Sequence, residues 1–564
     1  MKFALAQLNP LVGDISGNGK RISVACKEAT LLDAELLLTP ELSLWGYPPR
    51  DLLLNTSLLN KQDQVLNDLS KLIAIECPKL SVLVGIAEQA PDQQLPRLFN
   101  SFALINKEGW KVVSRKQLLP SYDVFDEKRY FRPSQKPGVL QLKSAERVWR
   151  LGITICEDIW VEEQLQGQKV IGPDPVESLI EHKIDLLINL SASPFSKSKD
   201  FLRQKLANRA AKRLKCPVIY LNQVGANDEL IFDGASFVVN EDNKLLLKLP
   251  SYKESLAIWD TKEPNTLSLQ LQKDPLQEVF EALVLGVKDY ARKCCFNTAL
   301  IGLSGGIDSA LVAVIATAAL GADKVTGILM PSPWSSKGSI NDALNLAEIL
   351  GLKSHTIPIE ELMKSFNLSL LDTLGKFPEG ITAENLQSRI RGTLLMAIAN
   401  QGGHLLLSTG NKSELAVGYC TLYGDMNGGL SVIGDVYKTT VFSLCEWLDS
   451  SASMTCRKNL GLPLQGDLIG EVIRTKAPSA ELRPGQLDCD SLPEYSLLDP
   501  LLKALIEDRV STEILINKGY SPDLINHIKQ LLKKGEFKRK QSPPLLKVSF
   551  QAFGTGWRIP IASA

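Results

Sequence analysis

Histidine is scarce in this chain. The four present, His182, His355, His404 and His527, are dispersed, so no cluster with metal-ligand spacing can be assembled from them. Ten cysteines occur without a single CxxC pair, and Cys294 and Cys295 are adjacent. Scattered thiols of this kind read as reduced side chains of a cytoplasmic protein, not as a disulfide framework or a zinc site. Charge of one sign is missing too: Lys plus Arg and Asp plus Glu each total 63. That balance argues against nucleic acid or an anionic membrane surface as a partner. Long hydrophobic runs are also lacking. The longest apolar helix candidate, 310–320, falls far short of the ~20 residues that span a bilayer. The opening MKFALAQLNP holds a short apolar stretch before Gln7 and Pro10, and reads as a first β-strand, not a leader. Internal repeats and low-complexity tracts are not apparent.

What remains is ordinary soluble composition, 44% hydrophobic and 22% charged, in a chain of 564 residues. That length exceeds one hydrophobic core, so two or more domains are expected. The first half alternates β-rich runs (2–8, 36–39, 81–86, 101–106, 150–155, 185–190, 218–221) with helical patterns (17–32, 58–75, 200–214), an α/β layer arrangement. Glu108-Gly109 reads as a hairpin turn. A polar, proline-containing stretch follows, and we expect a first domain over 1–262, a linker over 263–275 and a second α/β domain over 276–564. In the second, a helix over 276–293 precedes a strand over 298–303, a Gly-rich turn, a helix from 307 and a parallel strand over 325–330. The basic segment from 536 reads as a solvated tail.

Three residues of the first half follow strands in contexts unlike a core. Glu41 stands in LLLTPELSLWGYPP, Lys116 in VVSRKQLLP and Cys156 in RLGITICEDIW. Catalytic groups concentrate at such strand ends. A thiol needs a base or cation to become a nucleophile. A carboxylate can take its proton and later activate water, and an ammonium can stabilise the oxyanion formed on an amide carbonyl. The three together suffice for amide hydrolysis through a thioester.

The segments PELSLWGYPP, KQLLP and ICEDIW, in that order, resemble the nitrilase, or carbon–nitrogen hydrolase, superfamily. The resemblance implies an α-β-β-α sandwich with Glu41 as general base, Lys116 as oxyanion-stabilising cation and Cys156 as nucleophile. It also implies that Glu127, in YDVFDEKRYF, supports the lysine at the glutamine site. The loop INLSASPFSKSK resembles the one that holds the amino-acid end of the substrate in glutamine-using members, which implies contacts from Ser193, Lys199 and Tyr122.

In the second half, LIGLSGGIDSALVA is a strand–turn–helix whose Gly305 and Gly306 permit a tight turn and close approach of an anion to the free N–H groups of the next helix. No GKS or GKT follows, so it is not a Walker A loop. Ser304 and Ser309 add hydroxyl donors, and Asp308 can hold a magnesium ion on phosphate oxygens. SGGIDS resembles the pyrophosphate loop of the N-type ATP pyrophosphatases, which implies that Gly302, Leu303, Ser304, Gly305, Gly306, Ile307, Asp308 and Ser309 line an ATP site in a Rossmann-like parallel-sheet domain. Downstream, ENLQSRIRGTLLMAIAN, LLLSTGNKSELAVGYCTLYGD and APSAELRPGQ resemble the NAD synthetase family; with the amidase half, the order of motifs is similar to that of the glutamine-dependent NAD synthetases. That resemblance implies that Thr409 contacts ATP, that Asn385, Arg391, Glu414, Asp425 and Lys538 contact deamido-NAD, and that Asp308 and Glu414 hold Mg2+. It further implies glutamine, ATP and deamido-NAD as substrates and a homo-oligomeric, cytoplasmic enzyme. Other glutaminases fit poorly. An N-terminal-nucleophile type needs cysteine at position 2, where lysine stands, and a class I type needs a GxCxG elbow, where ITICEDI stands.

Overall fold

The computed structural model describes residues 1–92, 94–144, 147–161, 164–165, 168–169, 172–263 and 274–563. The expected linker falls almost wholly on 264–273 and lies outside the described residues. The chain divides into two compact units, Met1–Gln272 and Lys273–Ala564.

The first unit contains two six-stranded sheets. One runs in the order Ser255–Asp260, Lys2–Gln7, Leu36–Leu38, Ser81–Gln89, Leu98–Asn106, Gly109–Arg115; the other in the order Leu245–Lys248, Phe237–Val239, Val218–Asn222, Leu186–Ser191, Val148–Ile155, Gly138–Lys143. Side chains alternate across a strand, and the alternation assigns each to a layer. Phe3, Leu5, Leu36, Leu38, Leu83 and Phe102 of the first sheet pack with Leu151, Ile153, Ile155, Leu186, Ile188 and Leu190 of the second, all buried, to form the central core. The opposite parity, Ala4, Ala6, Leu37, Val82 and Val84, packs against Ile22, Cys26, Leu66, Leu69 and Ile73 of helices Ile15–Leu31 and Thr56–Glu76. On the far side, Leu187, Val218 and Tyr220 meet Leu206, Ala207 and Ala210 of helix Lys199–Leu214. The result is the helix–sheet–sheet–helix sandwich expected from the motifs. Each fully buried Leu or Ile contributes roughly 1.5–3 kcal/mol, so this layering fixes the register of every strand that carries a site residue.

Two details of the pattern differ from the structure. Val224–Asn227 and Leu230–Asp233 were not distinguished in sequence, because each is only four residues long and ends on a polar residue. The hairpin turn is Lys107-Glu108, between Leu98–Asn106 and Gly109–Arg115, one residue earlier than expected.

The second unit is built on a five-stranded sheet in the order Lys353–Thr356, Val325–Leu329, Ala299–Gly302, Leu405–Ser408, Leu430–Ser431, with every pairing parallel. The first three strands in sequence run outward in one direction and the last two in the other. The order therefore reverses between Ala299–Gly302 and Leu405–Ser408, and open parallel sheets bind ligands at the carboxyl ends of the strands flanking such a switch point. The segment from 536 is not a solvated tail. Glu536 and Arg539 are buried, Arg539 donates to the Leu415 and Ala416 carbonyls, and Leu545, Leu546, Val548, Ala552 and Phe553 join the core. The apolar residues among its many charges are what bind it. No helix among the described residues is long and apolar enough to cross a membrane.

Candidate functional site

In the first unit, Glu41, Lys116 and Glu127 form a buried ionic triad. Lys116 Nζ donates to Glu41 Oε1 and Glu127 Oε1, each at 2.7 Å, and none of the three side chains is more than 5% exposed. Burying an ammonium costs several kcal/mol unless it is well paired, so two carboxylate partners are the physical requirement for this lysine. Asn100 Nδ2 donates to Glu41 Oε1 at 2.8 Å, the Ala192 N–H to Glu41 Oε2 at 3.0 Å, and Tyr47 Oη to Glu127 Oε1 at 2.8 Å. Glu41 is thus held at both oxygens. Burial pulls the Lys116 ammonium toward neutrality, but the Glu127 and Glu41 charges outweigh it and hold its pKa well above the usual lysine value. Burial pushes the Glu127 carboxyl up to about 7, against the pull of Lys116.

Cys156 directly follows strand Val148–Ile155, is 6% exposed, and has φ +47°, the left-handed region that a residue with a Cβ rarely adopts. Asp158 pins this turn. Its Oδ2 accepts from the Ile155 N–H at 2.9 Å, and its Oδ1 from the Gln117 and Leu118 N–H groups at 3.0 and 2.8 Å. One carboxylate therefore binds the cysteine turn to the segment that begins at Lys116. Burial pushes the Cys156 thiol up to about 12, with the Glu41 charge adding and the Lys116 charge opposing. The resting side chain is then a neutral thiol. Ultraviolet difference absorbance between the native protein and Cys156→Ser is expected to show no thiolate below about pH 9; a thiolate step near neutrality would contradict this environment.

The other expected residues of this unit lie nearby. Tyr122 Oη is hydrogen-bonded to Glu157, the residue after the cysteine, and burial pushes the Glu157 carboxyl up to about 7, with Lys116 and Lys199 opposing. Lys199 Nζ lies 5.6 Å from the Trp160 ring centroid. The backbone of Ser193 is fixed by Asn222, which accepts from its N–H at 2.8 Å and donates to its carbonyl at 3.1 Å. Ser198 precedes helix Lys199–Leu214 but makes no side-chain cap.

In the second unit, a cavity of about 630 Å³ opens at the switch point and is lined by every residue from Gly302 to Ser309, and by Arg391, Thr409, Glu414 and Asp425. Gly305 has φ +77°, and a Cβ there would lie 2.1 Å from the Ser339 carbonyl oxygen. Ser309 Oγ donates to the Gly306 carbonyl at 3.0 Å and lies 3.1 Å from Ser304 Oγ, closing the turn against helix Ile307–Leu320. Asp308 Oδ1 accepts from Asn411 Nδ2 at 3.0 Å, and its Oδ2 is paired with Lys438. Lys438 Nζ also lies 3.5 Å from Glu414 Oε1. Asn411 caps helix Lys412–Val417 by accepting from the Glu414 N–H at 3.0 Å, while Glu414 accepts from the Asn411 N–H at 3.3 Å. The capping box therefore delivers Glu414 to the cavity. Burial pushes its carboxyl up to about 8 against the Lys438 charge. Arg391 donates to the Met330 carbonyl at 3.1 Å, and burial lowers its pKa to about 10. Asp425 accepts from the Thr421 N–H at 2.7 Å.

Two expected residues are not among the cavity lining. Asn385 lies within helix Ile381–Gly402, is not its cap, and accepts from Thr421 Oγ1 at 2.9 Å. Lys538 donates to the Gly418 and Cys420 carbonyls at 2.8 and 2.7 Å. Conversely, sequence reasoning passed over Lys438, Asn100, Tyr47 and Asp158. Lys438 stands in DVYKTTVF, where an apolar surround for a lysine is the signal that marks it as paired.

Comparison with known proteins sets this geometry in a family. The carbon-nitrogen hydrolase family model matches residues 2–264 and the NAD synthase family model residues 279–542. The glutamine-dependent NAD(+) synthetase of Synechocystis sp. is 49% identical over 570 aligned residues, covering 100% of this chain and 98% of the relative. The chain belongs to the glutamine-dependent NAD(+) synthetase family. The Thermotoga maritima synthetase is 37% identical, again over 100% of this chain and 98% of the relative. The solved structure of the Acinetobacter baumannii glutamine-dependent NAD+ synthetase, in complex with adenosine diphosphate, is 35% identical with a TM-score of 0.75, covering 99% of this chain and 98% of that one. A synthetase of this family joins a nitrilase-type unit to an ATP-using NAD synthase unit, and the two sites just described fall one in each.

Proposed function

We propose that the first unit, over about 1–262, hydrolyses glutamine through Cys156, Glu41 and Lys116, and that the second, over about 276–564, spends the ammonia on deamido-NAD. The carrying observation is the buried Glu41–Lys116–Glu127 triad beside a strained, buried cysteine. Glu41 takes the Cys156 proton as Sγ attacks the carboxamide carbon. The Lys116 ammonium stabilises the oxyanion. Ammonia leaves with the proton returned by Glu41, and water activated by Glu41 then splits the thioester to glutamate and free thiol. Ser193, Lys199 and Tyr122 hold the amino-acid end of glutamine, and Glu127 holds Lys116. Between Glu127 and Glu41 the ammonium stays charged throughout the cycle.

In the second unit, the nicotinate carboxylate of deamido-NAD attacks the α-phosphorus of ATP and pyrophosphate leaves. Ammonia attacks the acyl adenylate, AMP departs, and NAD is formed. The turn from Gly302 to Ser309, with Thr409, holds the phosphates. Arg391, Glu414 and Asp425 face deamido-NAD, with Asn385 and Lys538 behind them supporting the 418–421 segment. Asp308 and Glu414 are the residues that would hold Mg2+. The Lys438 ammonium stands between these two carboxylates, where positive charge is required, and Mg2+ needs only one or two carboxylates besides phosphate oxygens. Bound there, the ion would neutralise phosphate charge. The free thiols and balanced charge support a cytoplasmic enzyme, and the family resemblance supports a homo-oligomer.

Asp308→Ala tests the second site. NAD formation is expected to fall by about a hundredfold or more with either glutamine or added ammonia, and the rise in Tm on adding ATP with Mg2+ is expected to disappear. Wild-type rates with ammonia would remove Asp308 from the ATP site.

A further inference from the structure

The segment from Lys476 to Asp488 forms one wall of the second-unit cavity, with all its residues but Pro484 among the lining. It is tied at several points to other elements that line that cavity. Gln387 Nε2 donates to the Leu482 carbonyl at 2.8 Å, tying it to helix Ile381–Gly402. Ser339 Oγ donates to Glu481 Oε1 at 2.6 Å, and the Ser336 N–H donates to Glu481 Oε2 at 3.3 Å, tying it to helix Lys337–Leu350. The third tie differs, because it reaches the phosphate-binding turn itself. Lys476 Nζ donates to the Gly305 carbonyl at 3.3 Å, to Ser339 Oγ at 3.1 Å and to Asp342. Its three protons are thus shared among the turn, the helix packed on that turn, and the Asp342 carboxylate. Asp342 is only 12% exposed on its side chain and Lys476 29%, so the pair is more than a solvated surface ion pair, whose worth would be small.

We propose that Lys476 is a positioning residue for ATP: it sets where the 476–488 wall and the Gly305 turn stand relative to each other. The inference rests on the ATP-site reading above. Gly305 is the position at which the turn already touches the Ser339 carbonyl so closely that no Cβ fits. A shift of the Lys337–Leu350 helix therefore moves the turn, and the ammonium joins both to the wall. Charge-assisted hydrogen bonds with fixed partners of this kind give geometric definition as well as energy.

The test uses the full chain with ammonia as nitrogen donor. Lys476→Met is expected to raise the KM for ATP about tenfold with a smaller change in kcat, and to shrink the rise in Tm on adding ATP, measured from the variant's own Tm without ATP. Lys476→Arg, which keeps charged donors, is expected to restore most of the affinity. Lys476→Met combined with Asp342→Asn is expected to be no worse than Lys476→Met alone, as for two members of one interaction. A native KM and a native ATP-induced Tm rise in Lys476→Met, or additive losses in the double variant, would overturn the inference. If Asp308→Ala also retains the ATP-induced Tm rise, it is the ATP-site reading that has failed; if Asp308→Ala loses it and Lys476→Met does not, only the role of Lys476 has.

Discussion

Replacing Cys156 by alanine is expected to abolish NAD formation from glutamine, by about a thousandfold or more, while synthesis from added ammonia persists. Loss of a covalent nucleophile removes the reaction path itself, so no partial rate survives through the thioester. The substitution is small in structural terms. Alanine keeps the Cβ, and the turn at φ +47° is held by the Asp158 carboxylate and the Asn189 side chain, which donates to the Cys156 carbonyl at 3.3 Å. Neither contact involves Sγ. The measurement is NAD formation with glutamine and with ammonium chloride as alternative nitrogen donors, together with glutamate release. Loss of both donor routes would refute the division of labour between the two units, and retained glutamate release would remove Cys156 from the chemistry.

How far the sequence reveals this site depends on whether a residue's partners are local. Glu41, Lys116 and Cys156 are legible because each follows a strand within three residues, and a charged or reactive group at that position has no packing role. Asp158 was passed over although it lies two residues from Cys156. Its function is to accept N–H groups of Gln117 and Leu118, some 40 residues away in sequence, and no local pattern records a contact of that range. Glu127 illustrates the same limit. Its run, FDEKRY, sets two acids beside two bases as a solvated segment would, yet the side chain is buried against Lys116 and Tyr47; only the resemblance marked it. The layers were legible because strands buried on both faces, such as Leu186–Ser191 and Val218–Asn222, read as mostly apolar runs set between helical patterns. A four-residue strand such as Leu230–Asp233 is too short for that pattern to show. The tail was misread because Glu536 and Arg539 look solvated in sequence, whereas they satisfy each other at 2.8 Å inside the fold. Lys538 follows the same logic, since its ammonium meets backbone carbonyls and not the cavity.

The second large effect is expected at Gly305. Gly305→Ala should eliminate synthesis from ammonia as well as from glutamine, and with it the rise in Tm on adding ATP. Two separate penalties act there. At φ +77° an L-residue pays roughly 1–2 kcal/mol that glycine does not. The added methyl would also sit 2.1 Å from the Ser339 carbonyl oxygen, a backbone atom with no rotamer to escape into. The turn or the Lys337–Leu350 helix must therefore move, and either displacement pulls the N–H groups of the turn away from the phosphates they are proposed to bind. Gly306 provides the internal control. It has φ −94°, which any residue adopts, and its nearest contact for a Cβ is the Ser304 hydroxyl at 3.2 Å, a side-chain atom and not backbone. Gly306→Ala is accordingly expected to retain most of the affinity for ATP while Gly305→Ala loses it. Steady-state kinetics with ammonia as donor distinguish the two. Equal behaviour of the two variants would mean that the close approach of the turn to helix Lys337–Leu350 plays no part in ATP binding.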